Sequence, residues 1–198
     1  FHVTGVQTCA LPIWAGKKTD RQANASYIHR SHAAFVARKT RDSRMKPAPT
    51  LNLNLQFATN ALEAKWSQIL SKTKIKKWVG AALQEDADLT IRFVGAAESK
   101  RLNTAYRNKS YATNVLTFPY DLQPGIETLT ADIVICLPVV QKEAKEQGKN
   151  VTSHLIHLLV HGTLHAQGFD HEDEVEAEAM ESLEIAILKK LKQSNPYA

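Results

Sequence analysis

A chain of 198 residues with 43% hydrophobic content suffices for one domain with a buried core, and no run approaches the ~20 consecutive apolar residues that span a bilayer. Two cysteines, Cys9 and Cys136, cannot frame a disulfide-stapled fold, so a reducing, cytoplasmic setting is expected. The formal charge of +5 is no argument for a nucleic-acid partner: eight of the 25 basic but only two of the 20 acidic residues precede Met45, leaving 17 basic and 18 acidic residues after it.

Residues 1–44 stand apart. Val3-Thr4-Gly5-Val6-Gln7-Thr8-Cys9-Ala10-Leu11-Pro12-Ile13 looks like the translation of a common sequencing-library adapter, and the rest, to Arg44, is basic without a sustained apolar period. A non-native or disordered leader is expected there, with the native start at Met45-Lys46-Pro47 and one domain over 45–198. An Arg-rich mitochondrial transit peptide is the rival reading. Cys9 falls in this leader, which leaves Cys136 as a lone thiol, expected to be buried in a strand.

Strict alternation over 51–57 predicts a strand with one buried face. Trp66, Ile69, Leu70, Ile75, Trp78, Val79 and Leu83 recur every three or four residues and predict one helix over about 65–84. A second strand is expected over 89–94, closed by Gly95, then a short helix over 96–106 and a polar segment, Arg107-Asn108-Lys109-Ser110. The third strand, 115–119, ends at a proline. The nearly continuous apolar run 132–137 suits a strand buried on both faces, and Pro138 suits the first turn of a helix reaching about 147. A helix follows Asn150, with Thr152 or Ser153 as its cap. The last helix, about 173–192, has acidic first turns, Lys189, Lys190 and Lys192 at its end, and a packing stripe of Met180, Leu183, Ile187, Leu188 and Leu191. The fold class is therefore α/β (α+β): a single mixed sheet of about four strands packed with helices.

Within the helix after Asn150 lies His161-Gly162-Thr163-Leu164-His165-Ala166-Gln167-Gly168-Phe169-Asp170-His171. His161 and His165 stand one turn apart on one helical face and can share an ion. Gly168 can take the left-handed conformation that ends a helix, turning His171 toward the same ion. Three imidazoles leave one tetrahedral position open, as in a catalytic zinc site. The spacing is that of the metzincin peptidases, but the Glu that serves them as general base is replaced by Gly162. Metal-assisted hydrolysis fits; peptide hydrolysis fits poorly. His154, His157, His161 and His165 also form a stripe, so an ordinary His-rich helical face is the competing reading, though it leaves Gly168 and His171 unexplained. Of the two four-residue pairs, only His161 with His165 is followed by the glycine break. His157 is expected to support or pack, and His154 to lie on the surface.

Arg107, at a helix end, is uninformative alone, since it could bind helix carbonyls or a surface carboxylate. Taken with the 132–137 strand and the 161–171 motif, however, the order of elements from Met45 onward resembles the YbeY family of bacterial rRNA maturation factors. That resemblance implies a single Zn2+ held by His161, His165 and His171 on a zincin-like helix. It also implies single-strand-specific endoribonuclease activity in rRNA processing, including 16S rRNA 3′-end maturation, and in ribosome quality control. Small-subunit ribosomal proteins and a GTPase become candidate partners, and no membrane is involved. Arg107 matches the family's functional arginine, suited to holding a phosphodiester bidentately. Asp170 is a catalytic candidate that could orient an imidazole or handle protons; capping the turn after Gly168 is its alternative. Asn114 stands where many relatives have Asp, and Ala131 where many have Gly, so neither receives a catalytic role. A zinc peptidase and a non-catalytic ribosome-assembly factor with structural zinc are the alternatives.

Overall fold

Alternating side chains place Leu53 in the core and leave Asn52 and Asn54 in solvent along the first strand, β1 (Leu51–Phe57). The computed structural model describes residues 48–120, 128–171 and 174–197. The expected leader and the Met45 start lie outside the described residues. Three further strands, β2 (Ala87–Val94), β3 (Val115–Pro119) and β4 (Leu129–Cys136), complete a sheet of order β1-β2-β4-β3. β1, β2 and β4 run parallel, whereas β3 pairs antiparallel with β4 and forms an edge. β4 is thus interior, and Ile133, Val134, Ile135 and Cys136 are all buried, as the continuous apolar run implied. It begins three residues earlier than expected, and Leu137 belongs to the following helix.

Six helices surround the sheet among the described residues: α1 (Asn60–Trp66), α2 (Lys72–Gly80), α3 (Ala96–Arg107), α4 (Leu137–Glu146), α5 (Val151–Ala166) and α6 (Glu174–Lys190). The single helix expected over 65–84 is two. Thr59 caps α1 by accepting the Leu62 N–H at 3.2 Å, and the chain breaks at residues 67–71 before Ser71 opens α2. Trp66 and Leu70 are nevertheless both buried, so the apolar period survives a break that it cannot reveal. Asn150 itself caps α5, its side chain accepting the N–H groups of Thr152 (2.8 Å) and Ser153 (3.3 Å), which displaces the two expected caps. The proposed Asp173 start of α6 lies outside the described residues.

The two faces of the sheet carry different loads. Leu89, Ile91, Phe93, Val115, Ile133 and Ile135 meet α1, α2, α5 and α6 in the main core. On the opposite face Leu116, Phe118, Val134 and Cys136 meet Leu102 and Tyr106 of α3. Residues 154–166 of α5 are all buried, because the sheet lies on one side of this helix and α2, α4 and α6 on others. The Cys136 thiol is sequestered, and burial pushes its pKa up.

Candidate metal centre

α5 brings the histidines together. Its last turn is closed by Gly168, whose φ of +84° lies in the left-handed region, while the Phe169 N–H reaches back to the Leu164 carbonyl at 3.2 Å. The reversal carries His171 beside the helix: its ring stacks on His161 at 5.7 Å and meets His165 edge-on at 5.1 Å. The candidate ligand nitrogens of His161, His165 and His171 all lie within 4.8 Å of one another. The Nε2 atoms of His161 and His165 are 3.1 Å apart. Two imidazoles on a tetrahedral zinc, each bonded at about 2.0–2.1 Å, hold their nitrogens roughly 3.3 Å apart.

The far sides of the two rings decide what those nitrogens can do. His161 Nδ1 sits 2.5 Å from Glu184 Oε1. A carboxylate only accepts, so Nδ1 carries the proton and Nε2 the lone pair. His165 hydrogen-bonds the Phe169 backbone, a bond that favours the protonated ring and is therefore made to the carbonyl. Its Nδ1 side faces this turn, with Asp170 Oδ1 at 4.0 Å. With the His165 proton on Nδ1, at this turn, two lone pairs face each other across 3.1 Å, an arrangement that a cation between them would relieve. Burial lowers the pKa of both rings, against the pull of Glu184 in each case, which favours the neutral imidazoles that metal ligation requires. The donor set fits a borderline metal such as zinc.

Glu184 was not anticipated. It lies on α6 with no exposed surface, in the middle of the Met180, Ile187 and Leu188 stripe. The signal was available, as a carboxylate at a core position of an amphipathic helix requires buried partners. Its Oε2 accepts from His157 Nε2 at 3.1 Å and from the hydroxyl of Tyr197. Burial alone would raise the Glu184 carboxyl, but hydrogen bonds from His157 and His161 outweigh it and hold the group well below the usual carboxylate range. His157 thus occupies the supporting position expected of it. His154 does not lie on the surface: it is 2% exposed, with Nε2 2.9 Å from Glu143 Oε2. The α4 helix covers that end of α5, and a local spacing rule cannot see it. Asn114, also buried, donates from Nδ2 to the same Glu143 oxygen at 3.1 Å, a bond that an ionised Asp there could not make.

Asp170 is half-buried and caps the turn, its Oδ1 accepting the His171 N–H at 2.8 Å; at 4.0 Å it is too far to hydrogen-bond His165. Arg107 is the last residue of α3, half-buried, on the helix packed against the sheet face opposite α5. Beyond it Asn108, in the left-handed conformation (φ 56°), ends the helix, and residues 109–114 lead to the edge strand β3.

The family model described as Endoribonuclease YbeY matches residues 52–192. Endoribonuclease YbeY of Polynucleobacter asymbioticus is 56% identical over 147 residues, 74% of this chain and 94% of that protein. The Paraburkholderia phymatum protein of the same name is 52% identical over 153 residues, 77% of this chain and 99% of its own length. A solution structure from Thermotoga maritima is similar at a TM-score of 0.45 and 21% identity, covering 73% of this chain and 98% of that one. With a family match across most of its length and relatives at this identity, the chain belongs to the YbeY endoribonuclease family.

Proposed function

We propose that residues 45–198 form a single zinc-dependent endoribonuclease domain that cleaves single-stranded RNA during rRNA maturation, including the 16S rRNA 3′ end, and in ribosome quality control in the cytoplasm. The observation that carries the metal part of this reading is the 3.1 Å approach of two imidazole nitrogens whose far sides are both engaged by acceptors. Family membership supports the RNA part. A single Zn2+ would be held by His161, His165 and His171, and would supply Lewis acidity and a more acidic water when bound.

The chain's own groups supply the rest. Gly162 replaces the Glu of the zinc peptidases, so the proton-relaying carboxylate of peptide hydrolysis is missing. The family resemblance, rather than any contact with the histidines, supports Arg107 as the planar guanidinium that holds a phosphodiester. Asp170 holds the His171 backbone and is the part-exposed carboxylate placed beside His165 and His171 to handle protons. Small-subunit ribosomal proteins and a GTPase are the proposed further partners.

Arg107→Ala tests the phosphate role. Zinc content and melting should match the wild type, while cleavage of single-stranded RNA falls about 10²–10³-fold, the usual cost of removing one charge-stabilising donor. Unchanged cleavage makes Arg107 a structural residue. Chelation separates catalysis from a purely structural metal: RNA cleavage should stop while the helical circular-dichroism signal persists. Unfolding upon chelation instead favours an assembly factor with structural zinc.

A further inference from the structure

We propose that Glu184 and Tyr197 are positioning residues of the metal centre, acting through His161 and setting its affinity for zinc. The proposal rests on the metal reading above and extends it to two residues outside the histidine motif.

A carboxylate with no exposed surface, set among Met180, Ile187 and Leu188, is an expensive occupant of that place. A well-packed apolar residue there would serve stability at least as well. What Glu184 adds is direction. Oε1 takes the Nδ1 proton of His161, and Oε2 takes donors from His157 and from the Tyr197 hydroxyl, so each oxygen is engaged and the carboxylate plane is fixed. The His157 ring stands edge-on to both His161 (6.0 Å) and Tyr197 (5.7 Å), filling the corner between them. The consequence for His161 is one tautomer and one ring orientation, with Nε2 toward His165.

Tyr197 belongs to the segment after α6, which folds back over the start of α5. Lys149 Nζ donates to the Pro196 carbonyl at 2.8 Å, and the Asn195 side chain accepts the Tyr197 N–H at 2.9 Å. The metal centre is therefore completed by a residue 26 positions beyond His171. Burial, and then the Glu184 charge, push the Tyr197 phenol above its ordinary pKa, which keeps it a donor.

The test is a zinc titration of the full chain against a chromophoric chelator, run on wild type, Glu184→Gln and Tyr197→Phe, alongside thermal melting of the metal-free proteins. Glu184→Gln should bind zinc about 10–100-fold more weakly, the usual effect of losing a partner behind a ligand. Its metal-free form should melt somewhat lower, because the amide NH2 faces a donor where the carboxylate accepted one, so the titration is read at a temperature where both proteins are folded. Tyr197→Phe should shift zinc affinity in the same direction by less. A merely structural role gives lower melting with unchanged zinc affinity, and that result overturns the proposal. If Glu184→Gln does not fold, Tyr197→Phe decides by the same titration: weaker binding supports the proposal, and equal binding overturns it. Failure of the wild type to take up one zinc would instead remove the metal reading beneath it.

Discussion

His165→Ala is expected to abolish stoichiometric zinc and, with it, cleavage of an rRNA precursor. His165 supplies one of the two nitrogens that face each other at 3.1 Å; without it only His161 and His171 of the three proposed ligands remain, too few for a tetrahedral site. The fold should survive. Removing a buried imidazole leaves a gap, at roughly the 0.5–3 kcal/mol of an ordinary substitution, but it also separates two groups that are adverse neighbours when no cation lies between them. Metal analysis of the purified variant, with RNA cleavage measured on the same sample, checks both halves. Full activity in a metal-free wild-type preparation would sink the zinc mechanism.

The same variant has a signature in acid. Burial, followed by the charges of His161 and His171, holds the His165 ring well below its ordinary value of 6.5 in the metal-free protein. Below that value the unfolded chain binds a proton that the folded chain refuses, so stability falls as pH falls. Glu184, held low by His157 and His161 after burial is overcome, works in the same direction at lower pH, where protonation removes what its ionised form contributes. Metal-free wild type should therefore melt at progressively lower temperature as the pH drops below about 6.5. His165→Ala should lose part of that slope, and an identical slope in both proteins would show that His165 is not the group resisting protonation.

Chain-local features of this molecule were readable from the sequence, and partnerships between distant segments were not. The convergence of His161, His165 and His171 was readable because a helix fixes positions four apart on one face and Gly168 fixes the turn, both within eleven residues. The interior placement of β4 followed from its unbroken apolar run. By contrast, the division between α1 and α2 leaves Trp66, at the end of α1, and Leu70, inside the break, both buried, so the apolar period alone could not locate it. The burial of His154 depends on Glu143 of α4, eleven residues away, and the orientation of His161 on Glu184, 23 residues away. Glu184 was visible as an acidic residue in an apolar stripe, but only the packing of α6 on α5 identifies its partners.

Gly162 is where the fold and the missing peptidase base meet, and substitutions there should have large effects on stability. A Cβ built on it meets Ile133 Cγ2 at 3.0 Å, Val115 Cγ2 at 3.3 Å and Thr117 Oγ1 at 3.3 Å, so this side of α5 lies against β3 and β4. None of these neighbours yields easily. Ile133 and Val115 are β-branched and fully buried, and the Thr117 hydroxyl is tied to the Gly162 carbonyl at 3.3 Å. Gly162→Ala gains about 1 kcal/mol of helix propensity but incurs about 1–3 kcal/mol of overpacking, so a net destabilisation is expected. Gly162→Glu, which would restore the peptidase motif in sequence, drives a carboxylate into the sheet without a partner. That cost of several kcal/mol is comparable with the 5–15 kcal/mol total stability of a typical domain, so the variant should unfold or aggregate and bind no zinc. Denaturant melts of Gly162→Ala and soluble yield of Gly162→Glu make the comparison. A folded, zinc-binding Gly162→Glu protein would mean that position 162 faces the metal cleft, and the argument from close helix-sheet approach would fail.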